Sequence, residues 1–155
     1  MMKLTKFLLC LFTILCWSTL SYSQLPSDMN LEKGEIAIGG YDPVSYFLDS
    51  PEEGDKHISV IHKGVHYYFA SHKNRETFKE NPDKYIPAYG GWCAYAMGAK
   101  GEKVEVNYET YKIQNGRLML YYNKFFTNTL EDWNKEGADR LEEAADRNWK
   151  KLLIE

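Results

Sequence analysis

Cysteine is scarce in this chain. Of its three cysteines, Cys10 and Cys16 lie within the first 23 residues, and only Cys93 lies beyond them. A chain that loses that opening segment has no pair from which to build a structural disulfide, so its fold must be held by its core. Basic blocks are missing after Lys3 and Lys6, and loss of those two lysines takes the formal charge from −3 to −5. That balance argues against nucleic acid, whose binding rests on Lys and Arg contacts to phosphate. The longest apolar run, from about Phe7 to Trp17, falls short of the roughly 20 residues a membrane span needs. There is no Gly-x-Ser-x-Gly elbow, no phosphate-cradling glycine loop and no His-Glu-x-x-His pair. Internal repeats, low-complexity stretches and a second domain are absent as well.

What is present begins with the pattern of a cleavable secretory signal over residues 1–23. Lys3 and Lys6 precede the apolar run, and Ser18, Ser21 and Ser23 follow it, with cleavage expected after Ser23. Ile14 and Leu15 stand before Cys16 where a lipidation signal needs a small residue. The expected location is outside the cytoplasm, periplasmic or secreted, with no membrane span once the signal is removed. Residues 24–35 read as a polar leader without a clear period, and residues 36–152 as a single domain. Its 12 Tyr, 7 Phe and 4 Trp, counted over the whole chain, suggest an aromatic core.

Local signals then give an α+β order of short strands and hairpins with helices gathered mostly at the end. Ile36-Ala37-Ile38 reads as a strand running into Gly39-Gly40, and Ser45-Tyr46-Phe47-Leu48 as one helical turn. Ile58-Ser59-Val60-Ile61 and Val65-His66-Tyr67-Tyr68-Phe69 flank a Lys63-Gly64 turn, with Val65, Tyr67 and Phe69 facing inward. Ser71 caps a helix ending at Asn81-Pro82, with Phe78 packed inward. A short helix from about Trp92 ends at Gly98, and Asn115-Gly116 marks a hairpin. Two helices are expected at residues 129–135 and 138–152, anchored by Trp133 and Trp149.

Five segments carry a resemblance. They are Gly40-Tyr41-Asp42-Pro43-Val44-x-Tyr46-Phe47, Phe69-Ala70-Ser71-x-x-Asn74-Arg75-x-x-Phe78, Asn81-Pro82-x-Lys84-Tyr85, Tyr89-Gly90-Gly91-Trp92-Cys93-Ala94, and the hairpin that starts at Gly116-Arg117-Leu118 and ends at Tyr122-Asn123-Lys124. Together they span about residues 38–149, and in this order the chain resembles the YHS domain family, in particular its exported single-domain branch. The resemblance implies a domain similar to cysteine-rich metal-sensing modules, with links to the handling of copper and other heavy metals. Where the cysteine-bearing branch reads Phe-Cys-Ser-x-x-Cys, this chain has Ala70 and Asn74, so that thiolate pair is missing.

The candidate site residues follow. Cys93, just inside a helix start, and Met97, four residues on, are soft donors suited to Cu(I), and His72 is the histidine to complete the set. Both sulfurs could equally be core. Asp42, on a loop constrained by Pro43, reads either as an oxygen ligand or base or as a turn residue bonding nearby backbone N–H groups. Tyr41, Tyr89 and Trp92 line a pocket with Asp42, Ser71, Asn74 and Cys93, or else belong to the core. The expected function is binding of a metal ion, copper foremost, or of a small ligand, in a handling or sensing role without catalysis. Two other classes stay open: an interaction module with an aromatic face that docks a protein partner, and a thiol-dependent enzyme using Cys93 with His72 and Asp42.

Overall fold

The computed structural model describes residues 26–154. The expected signal segment and the first two residues of the leader lie outside the described residues. The fold is α+β, with small sheets and two helices closing the chain.

The first sheet has the order β1-β2-β4-β3, built from β1 (Leu31–Glu32), β2 (Ile36–Ala37), β3 (Asp55–His62) and β4 (Val65–Phe69). β3 and β4 form the antiparallel hairpin closed by Lys63-Gly64, and β2 lies parallel to β4 with Ile36 opposite His66. On β4 the side chains alternate as the period of a half-buried strand requires: Val65, Tyr67 and Phe69 are buried, whereas His66 and Tyr68 are partly exposed. α1 (His72–Glu80) starts where the Ser71 side chain accepts the Asn74 N–H, and it drives Phe78 against Tyr67 and Phe69.

A second hairpin pairs β5 (Asn107–Gln114) with β6 (Arg117–Tyr121) across Asn115-Gly116, both in the left-handed region that this tight turn needs. α4 (Thr129–Glu136) and α5 (Ala138–Leu152) follow, and Trp133, Leu141, Ala145 and Trp149 form a second core cluster with Tyr89, Met97, Met119 and Tyr121. The first cluster lies under the four-stranded sheet.

Four features depart from the sequence expectations. Residues 26–32 are part of the fold: β1 pairs with β2, the Asn30 N–H donates to the Gly90 carbonyl at 2.8 Å, and Trp92 Nε1–H donates to the Asp28 carbonyl at 2.7 Å. Pro82 closes α1 but also opens a further turn of helix, α2 (Pro82–Tyr85), as proline does at a first helical position. α3 (Ala94–Lys100) runs through Gly98 and stops at Gly101, which takes the left-handed cap. Gly98 is there for proximity, since a Cβ on it would sit 2.6 Å from the Leu141 carbonyl oxygen of α5. Finally, β7 (Asn123–Lys124) and β8 (Thr127–Asn128) make a small hairpin whose tip, Phe125 and Phe126, is fully exposed.

Candidate ligand cleft

Asp42, Ser71 and Asn74 do come together, as a joint. Asp42 is fully buried; its Oδ1 accepts the Val44 N–H at 2.8 Å, and its Oδ2 accepts the Ala70 N–H at 2.9 Å and Asn74 Nδ2 at 2.7 Å. Its carbonyl takes the Ser45 hydroxyl at 2.6 Å, and its own N–H donates to Glu52. The carboxylate thus ties the Tyr41-Asp42-Pro43 loop to the end of β4 and the first turn of α1. A buried charge is tolerated when hydrogen-bonded in this way, and these bonds occupy the carboxylate from both sides.

Cys93 is sealed, and its sulfur is already engaged. The Tyr122 N–H donates to Sγ at 3.4 Å, and Thr129 Oγ1 lies at 3.4 Å. Since the Thr129 hydroxyl donates to the Tyr122 carbonyl, its lone pair is what faces the sulfur, so the thiol is the donor in that contact. Met97 is also fully buried, but it packs in the second cluster whereas Cys93 belongs to the first. His72 is exposed on α1, and no hydrogen bond links it to Cys93 or Asp42. Among the described residues, no group of three His, Cys, Asp or Glu is arranged to hold a metal.

Tyr41 and Trp92 are spoken for as well. The Tyr41 ring leans on Tyr46 and Tyr108 while its hydroxyl donates to Glu109, and Trp92 bonds Asp28. Of the expected pocket residues, Tyr89 lines the main cavity.

That cavity is a cleft of about 730 Å³ at the seam between the two core clusters. Met29, Ile86, Pro87, Trp149 and Leu153 supply apolar wall, and Tyr67, Tyr89, His62, Lys84 and Arg117 supply polar groups. The volume is within the range of small-molecule sites, roughly 300–1,000 Å³.

A buried polar chain holds Arg117 at the cleft. Trp133 Nε1–H donates to Gln114 Oε1 at 3.1 Å, and Gln114 Nε2 donates to Glu142 Oε2 at 2.6 Å. Asn115 Nδ2 donates to the same oxygen at 2.8 Å. The other oxygen, Oε1, receives Arg117 Nη1 at 3.0 Å, and Asp146 takes that same nitrogen at 2.9 Å. The guanidinium also lies over the Tyr89 ring, 5.2 Å from its centroid. Burial alone pulls the Arg117 pKa down, but the Tyr89, Asp146 and Glu142 charges outweigh it, so the guanidinium titrates above its usual value. Burial raises the Tyr89 hydroxyl, with Arg117 opposing and Asp146 reinforcing.

Tyr67, also on the cleft, is almost wholly buried, and its hydroxyl has no hydrogen-bond partner among the described residues. Burial raises its pKa, with a smaller contribution from Asp83. His62 Nε2 is buried without a partner, 3.9 Å from Asp83 Oδ1. Burial and the neighbouring Lys63 lower the His62 pKa, with Asp83 acting the other way, which leaves the ring neutral at neutral pH. Lys84 lies over the Phe47 and Tyr85 rings and makes no ion pair among the described residues.

One signal for this site was in the sequence. Residues 138, 141, 145 and 149 form the apolar stripe of α5, and Glu142 stands inside it, where a carboxylate needs a cation and donors from a facing element. No family model, curated protein or solved structure matches the chain.

Proposed function

We propose that this chain is a YHS-type binding domain whose ligand is a small organic molecule, held in the cleft between the two core clusters and left chemically unchanged. The observation that carries this reading is the cleft itself: about 730 Å³, walled by Trp149, Ile86 and Leu153, with the unpartnered Tyr67 hydroxyl on its surface. Such a combination of apolar wall and few convergent polar groups is what fixes and orients small ligands. The sulfur pair Cys93 and Met97 contributes nothing to that wall, so the small-ligand half of the sequence expectation is favoured over copper.

Fragment binding followed by ¹H–¹⁵N NMR tests it. Binding fragments are expected to move the Trp149 indole N–H and the Gly116 amide, and Ala88→Trp, which puts bulk into the cleft, is expected to abolish those shifts. Shifts confined to residues around Asp42 and Cys93 would overturn the assignment.

A further inference from the structure

Resting on that reading of the cleft, we infer that its ligand carries a carboxylate, taken by the open edge of the Arg117 guanidinium with the Tyr67 hydroxyl and the Lys84 ammonium as supporting donors. Hydrogen-bonding capacity is unevenly distributed around the cleft. The carboxylates behind the cleft are already occupied, Glu142 by Gln114, Asn115 and Arg117, and Asp146 by Arg117 and Tyr89, while Asp83 is an exposed carboxylate paired with Lys63 at 3.0 Å. Donors are in surplus. Both ion pairs of Arg117 use Nη1, which leaves Nη2 and Nε without hydrogen-bond partners among the described residues. Tyr67 has a free hydroxyl, and Lys84 has no anion. Free donors on an arginine, a tyrosine and a lysine favour a ligand that accepts, and a carboxylate presents two oxygens at the spacing of a guanidinium edge.

Preorganisation strengthens the case. An arginine on a surface hairpin ordinarily loses side-chain freedom on binding; this one is already fixed by the Trp133–Gln114–Glu142 chain and by stacking on Tyr89. Glu142 is 7% exposed, and burying a carboxylate on the apolar face of α5 is a costly way to stabilise a helix. Aiming a guanidinium into the cleft accounts for it. The body of the ligand then rests on Trp149, Ile86 and Leu153, which makes an aryl or alkyl carboxylate the class expected.

Three probes of one shape separate the possibilities: 4-phenylbutyrate, 4-phenylbutanamide and 4-phenylbutylammonium, titrated into protein purified from cells expressing the full chain. The carboxylate is expected to bind at least about tenfold more tightly than the amide, as one charge-assisted hydrogen bond warrants, and to shift the Arg117 Nε–H resonance. Arg117→Lys is expected to bring the carboxylate and amide affinities to within about threefold of each other. Tyr67→Phe, which removes a hydroxyl that no protein group uses, is expected to weaken carboxylate binding several-fold without loss of stability. Should Arg117→Lys fail to fold, Tyr67→Phe and the probe series still decide. Equal or tighter binding of the amide or the ammonium overturns the carboxylate assignment and leaves the cleft reading standing. No shift at Trp149 or Gly116 from any probe at about 10 mM, well above a millimolar dissociation constant, overturns both.

Discussion

Replacing Asp42 by alanine is the sharpest test of whether that residue is a joint or a ligand. The substitution leaves three donors without an acceptor: the Val44 N–H, in fully buried surroundings, and the Ala70 N–H and Asn74 Nδ2, which are part-buried. A buried donor stranded in this way costs about 1–3 kcal/mol, and each part-buried one nearer 1, so Asp42→Ala is expected to lose about 3–5 kcal/mol. That is a large share of the roughly 5–15 kcal/mol that holds a domain folded. Asn74→Ala removes one of the three bonds and is expected to cost about 1–2 kcal/mol. Asp42→Asn keeps one oxygen but turns an amide NH₂ toward other donors, and about 2–4 kcal/mol is expected. In urea unfolding followed by tryptophan fluorescence, a slope of about 2 kcal/mol/M puts the midpoint of Asp42→Ala about 1.5–2.5 M below that of the parent. A residue kept for binding behaves differently, because removing it tends to leave stability unchanged or raise it. An Asp42→Ala protein within about 1 kcal/mol of the parent would refute the joint.

Other perturbations are predicted from the same structure. Gly98→Ala is expected to destabilise by about 1–3 kcal/mol in urea unfolding, although alanine favours helix, because the new Cβ meets the Leu141 carbonyl at 2.6 Å and backbone must move; an unchanged or raised midpoint contradicts it. Phe125→Gly is expected to stabilise by about 1 kcal/mol, since Phe125 sits at φ 57° with its ring in solvent, and a loss of stability would show that the ring packs. Tyr46, Tyr67, Tyr89 and Tyr121 all have pKa values raised by burial, so the stability they contribute is complete below pH 10 and lost as pH climbs beyond it. Absorbance at 295 nm should therefore show these tyrosines ionising together with unfolding, and reversible titration of every tyrosine near pH 10 in a folded protein would contradict their burial. Cu(I) titration with a competing chelator is expected to give the same result for the parent and for Cys93→Ser, because the sulfur is enclosed; a one-to-one site lost in the variant would reverse that.

Regular structure was legible where the chain's signals are local. Asn115-Gly116, the alternation from Val65 to Phe69, the Ser71 cap and the apolar stripe behind Trp149 each depend on residues a few places apart, and each marks the element observed. Gly98 misled because its role is set by α5, more than forty positions later, and a close helix crossing looks the same as a helix stop when read along the chain. The segment from Asp28 to Asn30 has no period of its own and is held by partners near residue 90. The same distinction governs the sites. Asp42, Ser71 and Asn74 stood out as chemically able residues and do meet, yet only the hydrogen bonds reveal that their capacity is consumed within the fold. The cleft draws on turns from several distant parts of the chain, so no single motif announces it.

The turn at Tyr89, Gly90 and Gly91 has a bearing on the order in which the chain can finish folding. All three residues are left-handed, and a Cβ on Gly90 would lie 3.1 Å from Trp149 and 3.2 Å from Met29 Cα. The beginning and the end of the described chain therefore close on the same few atoms. During synthesis the early strand β1 emerges long before α5 exists, and Met29 faces a Tyr89-Gly90-Gly91 turn with no Trp149 to complete it. The early segment can dock on β2 and on residues 90–92 before α5 exists, but the packing over Gly90 is complete only when Trp149 arrives. A chain stopped short of Trp149 loses the packing over that turn along with one wall of the cleft, so the two defects appear together.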